Sequence, residues 1–214
     1  MTTPTIDTIE VADPPEAWRA AGFDVEPDGL CRVGRVRIRL VGRERGRGIV
    51  SWSLRDATVE HPEPDGLPTS LSAAEPCEPG RHPNEVLQID HVVLVTPDTA
   101  RTTAVLEAMG FEPRRTRHTD QYGAPSLQVF FRAGEVIIEL IGPEEPGGDG
   151  PAAFFGLAYT VADLDATAGV LGDALGTIKQ AVQPGRRIAT LRHRLLGLSV
   201  PTAFLSPEVD EPLR

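Results

Sequence analysis

Residues 89–98 read Ile89-Asp-His-Val-Val-Leu-Val-Thr-Pro-Asp98, and they are followed by an apolar helical stripe over residues 104–109 and by Gly110. The residues up to Val95 are rich in Val, Ile and Leu and predict a strand, which Thr-Pro-Asp ends. Asp98 is a favourable helix N-cap, so we expect a helix to start at Thr99. Gly110 stands where helices commonly end on a left-handed residue. The stretch therefore predicts a strand, a capped helix and a return of the chain.

Three further strands complete this unit. We expect them at Phe111–Arg117, Ser126–Arg132 and Glu135–Ile141, with the tight turn Ala133-Gly134 joining the last two. Residues 87–143 are therefore predicted to form a βαβββ unit.

The same order of elements recurs twice. Residues 152–207 open with Gly156-Leu-Ala-Tyr-Thr-Val-Ala-Asp163 and continue through a helical stripe that reaches Leu175. Residues 1–56 form a shortened copy, in which Val33-Gly-Arg-Val-Arg-Ile-Arg-Leu-Val-Gly42 matches Ala133-Gly-Glu-Val-Ile-Ile-Glu-Leu-Ile-Gly142. A repeated supersecondary unit usually buries its apolar face against its neighbour. We therefore expect 152–207 to pair with 87–143.

The remaining segments connect or end these units. Residues 57–86 are rich in proline and show neither helical nor strand periodicity, which predicts a linker or an extended strap. The charged tail, residues 208–214, is expected to fray. An odd number of copies leaves a strand edge to cover. Either residues 43–56 complete a reduced partner for the first unit, or a second chain does so in a homodimer.

Composition excludes several classes of partner. The chain has 214 residues and a formal charge of -10, which disfavours nucleic acid and anionic membrane surfaces. No apolar run is long enough for a membrane helix, and Met1–Asp7 carries acid where a signal peptide carries base, so we expect a cytoplasmic protein. Lys179 is the single lysine among 21 basic residues, a bias typical of a GC-rich bacterial genome. Nucleotide-binding and hydrolase motifs are absent from the sequence.

On these residues the chain resembles the vicinal oxygen chelate (VOC) superfamily, that of glyoxalase I, extradiol dioxygenases and bleomycin resistance proteins. The resemblance is carried by Ile89-Asp-His-Val-Val93 before Asp98, by Ala108-Met-Gly-Phe111 and by the strand around Glu139. It implies an α+β, glyoxalase-like fold in which βαβββ units form curved mixed β-sheets with helices on the outside. The superfamily includes isomerases, lyases, oxygenases and plain binding proteins, so it fixes no single function.

The resemblance also implies a metal site. Such proteins take one ligand from the first strand and one from the last strand of each unit, which here gives His91 and Glu139. These two side chains suit a divalent ion such as Fe, Mn, Zn, Ni or Co, which would chelate two neighbouring substrate oxygens. The equivalent residues of the third copy are Gly156 and Ala203, and neither can bind a metal.

The rest of the site leaves alternatives open. The equivalent residues of the first copy, Thr8 and Arg39, are no better as ligands, so a third ligand would have to come from His82, His118 or His193. Without a metal, a hydrogen bond between His91 and Glu139 would satisfy both side chains. Strand alternation adds pocket-lining candidates, which are Val93, His118, Gln128, Phe130 and Ile137.

Two groups of arginines also have more than one interpretation. Arg35, Arg37 and Arg39 share one face of their strand, which is typical of a solvated face or a subunit contact, with an anion-binding surface as the alternative. Arg186 and Arg187 flank a glycine turn and are interpreted as exposed hairpin residues.

Three functional hypotheses follow. The first is a protein with no cofactor that binds a small organic molecule in the pocket and has a degenerate metal site. The second is a divalent-metal-dependent lyase, isomerase or dioxygenase that uses His91 and Glu139 together with one more group or substrate oxygens, with Glu139 or a metal-bound water as the catalytic base. The third is an interaction or scaffold protein with a vestigial pocket.

Overall fold

Two β-sheets share one apolar core in this computed structural model, which describes residues 3–120 and 123–208. The elements of the amino-terminal part are β1 (Thr5–Val11), α1 (Pro15–Ala20), β2 (Leu30–Val33), β3 (Val36–Leu40), β4 (Ile49–Arg55) and β5 (Thr69–Leu71). They form a five-stranded sheet, the first sheet, in the order β2-β3-β1-β4-β5. Strand β4 lies inside the segment 43–56 and pairs antiparallel with β1. The edge of the first unit is therefore covered from within the chain, and homodimerisation stays a prediction.

The second sheet has eight strands and contains two complete units. The elements of the first of these are β6 (Val86–Val95), α2 (Thr99–Ala108), β7 (Pro113–Thr119), β8 (Ser126–Ala133) and β9 (Val136–Pro143). The elements of the second are β10 (Ala153–Val161), α3 (Leu164–Leu171), β11 (Lys179–Gln180), β12 (Arg187–Thr190) and β13 (Thr202–Leu205). The strand order is β11-β12-β13-β10-β6-β9-β8-β7.

Both units of the second sheet have the same topology. The first strand of each runs parallel to its last strand, β6 to β9 and β10 to β13, and the two first strands pair antiparallel. The first sheet repeats this arrangement with fewer strands, since β1 is parallel to β3 and antiparallel to β4. The predicted α+β fold of repeated βαβββ units is confirmed.

Local sequence explains where the helices begin and end. The carboxylate of Asp98 accepts a hydrogen bond from the backbone N–H of Arg101 at 2.9 Å, and Gly110 after the helix has a φ of 101°. Helix α3 starts in the same way, with Asp163 as its cap. It ends at Leu171 rather than continuing through Leu175, because Gly172 adopts a φ of 51°.

The core lies between the two sheets and includes the buried faces of the helices. Trp52 of the first sheet packs edge-on against Phe154 of β10, with ring centroids 5.2 Å apart, and also contacts Phe111. Trp18 of α1 is buried as well. Each sheet therefore has one face in this common core and one face turned away from it. We call the outward face of the second sheet the open face. Within the described ranges, every helix is too short or too polar to cross a membrane.

Candidate functional site

The open face is formed by alternate residues of the central strands. On β6, His91 and Val93 belong to it, whereas Val92 between them is buried in the core. On the parallel neighbour β9, Ile137 pairs with His91 and Glu139 pairs with Val93. Because paired residues of adjacent strands point to the same side, these four side chains share the open face. The predicted pair His91 and Glu139 is thus brought to one surface.

Strand β8 adds Gln128 and Phe130 to the same surface. Phe130 pairs with Glu139 across the strands, and its ring lies edge-on to His91 with centroids 6.2 Å apart. Gln128 is buried, and its side-chain N–H donates to Oε1 of Glu139 at 2.6 Å. All the residues proposed for the site except His118 therefore lie on the open face.

Glu139 is a carboxyl group in largely apolar surroundings. Burial raises the pKa of Glu139, while the electrostatic effect of His91, the hydrogen bond from Gln128 and the charge of Arg117 act in the opposite direction. The net pKa of Glu139 is raised. In place of the hydrogen bond between His91 and Glu139 that was the alternative to a metal site, Gln128 donates to Glu139 and Asp90 lies against His91. Glu139 can therefore accept a hydrogen bond as a carboxylate or donate one as a carboxylic acid.

The partner of His91 is Asp90, which lies at a β-bulge. His91 pairs with Ala158 of β10 and Ile89 pairs with Tyr159, so Asp90 between them has no residue opposite. The bulge brings Oδ1 of Asp90 within 2.5 Å of Nδ1 of His91. With Nδ1 engaged, Nε2 is the ring nitrogen of His91 that remains for a ligand.

Asp90 is bound by Arg186, a buried residue between β11 and β12 of the second unit of the second sheet. Oδ2 of Asp90 lies 2.5 Å from Nη2 of Arg186 and accepts a hydrogen bond from the hydroxyl of Thr160. Burial would raise the pKa of Asp90, but the hydrogen bonds from His91 and Arg186 outweigh it and hold this pKa well below its usual range. Asp90 is therefore ionised at neutral pH, and it fixes His91 through a network that joins two units.

This network was not predicted from the sequence. The interpretation of Arg186 as an exposed hairpin residue is wrong, since its side chain is only 3% exposed. Arg187 next to it is 40% exposed, as expected. A signal for Asp90 was present in the repeat itself, because Ile6-Asp7 of the first copy matches Ile89-Asp90.

The third unit contributes only small side chains at the positions that would complete a metal site. Gly156 pairs with Val93, while Ala203 of β13 pairs with Ala158, so all of these residues border the open face. A Cβ atom on Gly156 would lie 2.6 Å from the carbonyl oxygen of Pro201. The close approach of these two backbone segments therefore excludes a ligating side chain at this position.

The three other histidines considered as ligands lie elsewhere. His118 is on β7, but its neighbour Arg117 pairs with Gln128, so His118 points to the opposite face. Its imidazole is 74% exposed and lies 2.8 Å from Glu144.

His82 ties the proline-rich segment to the first unit. Its Nδ1 accepts from the backbone N–H of Asp24 at 3.1 Å, and its Nε2 lies 3.0 Å from the carbonyl oxygen of Arg32. Burial lowers the pKa of His82, so it remains neutral in this role. His193 belongs to a 3-10 turn, His193–Leu196.

The donor set does not fit a resident divalent ion. Across residues 3–120 and 123–208, no three His, Cys, Asp or Glu side chains are placed to hold one ion. On the open face the donors are His91 and Glu139, whereas catalytic zinc and non-haem iron sites use three protein ligands. Asp90 cannot serve as the third, because His91, Arg186 and Thr160 occupy its oxygens.

The first sheet carries a different surface at the equivalent place. Asp7 lies at a bulge of β1 and is held by Arg37 and Arg55, each 2.5 Å from its Oδ1. Burial would raise the pKa of Asp7, but hydrogen bonds from Ser72 and Arg55 lower it. Thr8, which corresponds to His91, pairs with Arg37. An aspartate bound by arginine is thus common to both sheets, as Asp7 in the first and Asp90 in the second. The first sheet has Thr8 where the second has the imidazole of His91.

Ion pairs account for most of the arginines considered as a stripe. Arg37 is bound to Asp7, Arg39 lies 3.8 Å from Asp28, and the adjacent Arg32 pairs with Glu26. This strand face is therefore largely neutralised within the chain.

Comparisons with known proteins agree with this architecture. Residues 90–190 match the family model described as Glyoxalase/Bleomycin resistance protein/Dioxygenase superfamily. No curated protein matches the sequence.

Solved structures extend the likeness to the whole chain. A variant of 4-hydroxymandelate synthase from Streptomyces coelicolor is 16% identical and superposes with a TM-score of 0.64, covering 98% of this chain and 94% of that chain. A xylose isomerase-like TIM barrel/4-hydroxyphenylpyruvate dioxygenase fusion protein is 13% identical, with a TM-score of 0.59 and coverage of 98% and 49%. Methylmalonyl-CoA epimerase from Mycobacterium tuberculosis is 18% identical, with a TM-score of 0.47 and coverage of 58% and 91%. At these identities the likeness concerns the fold. Residues 90–190, 101 of the 214 residues, are thus similar to the glyoxalase/bleomycin resistance protein/dioxygenase superfamily.

Proposed function

We propose that this protein binds a small organic molecule on the open face of the second sheet. One observation carries the proposal, namely the half-buried carboxyl group of Glu139, which has a raised pKa and a hydrogen bond from Gln128. Placing a carboxyl group among apolar side chains weakens a fold, and groups perturbed in this way are concentrated at functional sites. Glu139 and Gln128 lie on the open face, which points away from the common core. They therefore do not contribute to the packing of the two sheets.

The surroundings of this pair suit such a ligand. Val93, Phe130 and Ile137 are half-buried and form an apolar floor beside Glu139. Small-molecule sites are typically apolar surfaces with a few placed polar groups that fix orientation.

His91 adds a second polar contact. Asp90 engages Nδ1, and the charge of Arg186 in turn fixes Asp90, so the imidazole is held in one orientation. A positioned Nε2 can exchange a hydrogen bond with a ligand that also contacts Glu139. His91 on β6 and Glu139 on the adjacent strand β9 would then fix the orientation of the bound ligand.

The test is a thermal-shift screen of small organic compounds on the full chain. A ligand at 100 times its Kd stabilises the native state by about 2.7 kcal/mol, which is readily measured. We expect hits that raise the Tm of the native protein but not that of Glu139→Ala. Glu144→Gln is the matched control, because this carboxylate pairs with His118 away from the open face. Hits that shift Glu139→Ala and the native protein equally would contradict the proposed site.

The metal-dependent enzyme is the second candidate, and it is favoured by the shared face of His91 and Glu139. It requires a third donor from outside the described side chains or from the ligand itself. Metal content separates the two candidates.

A further inference from the structure

Three arginines border the open face at the edge formed by β7 and β8. Each of them pairs across the strands with a residue of the open face. Arg115 pairs with Phe130 and Arg117 pairs with Gln128. Arg132 pairs with Ile137. The guanidinium groups therefore stand on the same side as Glu139. Arg117 is half-buried, and its charge acts on Glu139.

These arginines differ from those on the strands of the first sheet. In the described part of the chain, Arg115, Arg117 and Arg132 take part in no ion pair. On the first sheet, by contrast, Arg37 and Arg55 share Asp7. The three arginines without an ion pair lie beside Glu139, whose raised pKa favours its neutral form. The rim of the open face is thus positively charged on a protein whose formal charge is -10.

We infer that the ligand of the open face carries an anionic group, a carboxylate or a phosphate, directed to the β7–β8 edge. This inference rests on the proposed function. Guanidinium groups bind both anions through paired hydrogen bonds, and unpaired arginines next to an apolar floor provide both parts of such recognition. The apolar part of the ligand lies over Phe130 and reaches Glu139 and His91.

Strand spacing sets the size of this ligand. Arg117 is on β7 and Glu139 is on β9, two strands away, which corresponds to about 10 Å across the sheet. A ring with a short acidic side chain spans this distance. The ligand class is therefore a small carboxylic acid with an apolar body, or its phosphate counterpart.

The experiment uses probes that differ only in charge. Phenylacetate and phenyl phosphate are the anionic probes, and phenylacetamide is the neutral match of phenylacetate. Each is titrated at millimolar concentration into the full ¹⁵N-labelled chain, and backbone and arginine side-chain resonances are followed by NMR. We expect at least one anion to shift resonances of the open face and to bind about tenfold more tightly than the amide, with the difference lost at high salt. The stronger of the two anions identifies the carboxylate or the phosphate as the recognised group.

Variants assign the effect to the rim. Arg117→Gln is expected to weaken binding of the anion about tenfold and to leave binding of the amide unchanged. Arg81→Gln removes one exposed arginine from the proline-rich segment and should bind like the native protein. If Arg117→Gln is itself unstable, Arg115→Gln and Arg132→Gln test the same rim.

The outcomes distinguish the anionic class of the ligand from binding at the open face. Equal affinity for phenylacetate and phenylacetamide at the open face overturns the anionic class and leaves the binding proposal standing. Shifts from the anions that are as large in Arg117→Gln, Arg115→Gln and Arg132→Gln as in the native chain also overturn it. If no probe shifts a resonance of the open face, both the anionic class and the proposed function are overturned.

Discussion

The ion pair between Asp90 and Arg186 provides a direct test of the network that positions His91. The two side chains are 7% and 3% exposed, and Nη2 of Arg186 lies 2.5 Å from Oδ2 of Asp90. Removing one partner of a buried pair leaves the other charge without compensation, at a cost of about 3–5 kcal/mol. Asp90→Asn should therefore destabilise the protein by this amount, because the guanidinium group stays buried.

Urea unfolding followed by tryptophan fluorescence measures this cost. Trp18 and Trp52 are both buried in the common core and report on its loss. With a urea m-value of about 3 kcal/mol/M, the expected loss lowers the midpoint by roughly 1 to 2 M. A double-mutant cycle with Arg186→Met should show that the double variant loses less than the sum of the two single variants. The double variant also keeps the test valid if Asp90→Asn alone does not fold.

The neighbouring pair Asp165 and Arg187 supplies the control. These side chains are 65% and 40% exposed and lie 2.8 Å apart, so solvent screens them. Asp165→Asn should leave the urea midpoint within experimental error of the native protein. If Asp90→Asn behaves like Asp165→Asn, the reasoning about the buried pair is refuted.

The effect also has a defined pH dependence. The folded-state pKa of Asp90 is lowered, so its contribution is present above the pKa of the unfolded chain and is lost as pH falls through the lower, folded-state value. The difference between the native protein and Asp90→Asn should stay constant from neutral pH to about pH 5 and shrink in stronger acid. A difference that grows on acidification would contradict this assignment.

Two further predictions concern the core and the donor set. The hydroxyl of Tyr159 is fully buried and has no hydrogen-bond partner among the described residues. The Tm of Tyr159→Phe should therefore equal or exceed that of the native protein. A Tm lower by several degrees would show that this hydroxyl does have a hydrogen-bond partner. Because the open face provides only His91 and Glu139 as donors, elemental analysis of protein purified without chelator should find no stoichiometric Fe, Mn, Zn, Ni or Co. A stoichiometric ion that both His91→Ala and Glu139→Ala abolish would restore the metal-dependent enzyme.

Local features of this fold were predictable, because they depend on neighbouring residues. Asp98 and Gly110 marked the ends of α2, and the turn at Ala133-Gly134 set the register of β8 against β9. Strand β5 was missed, since it is three residues long and lies in a proline-rich segment without periodicity. Its pairing with β4 is a tertiary effect that no local pattern encodes.

The candidate site was predictable where strand alternation decides it. His91, Val93 and Glu139 reached one face because their spacing along β6 and β9 follows the two-residue period. Asp90 and Arg186 are 96 residues apart, and a β-bulge breaks the alternation at Asp90. A rule based on period alone places Asp90 on the wrong side, so the network behind His91 could only be seen in three dimensions.

The packing of Trp52 on Phe111 and Phe154 has a consequence for synthesis on the ribosome. Every strand of the first sheet has been made once Leu71 is added, but the partners of Trp52 come later in the chain. At ordinary translation rates the delay until Phe154 emerges is on the order of 10 s. During that time the apolar face of the first sheet that carries the indole of Trp52 lacks its partners from β10 and is exposed to solvent.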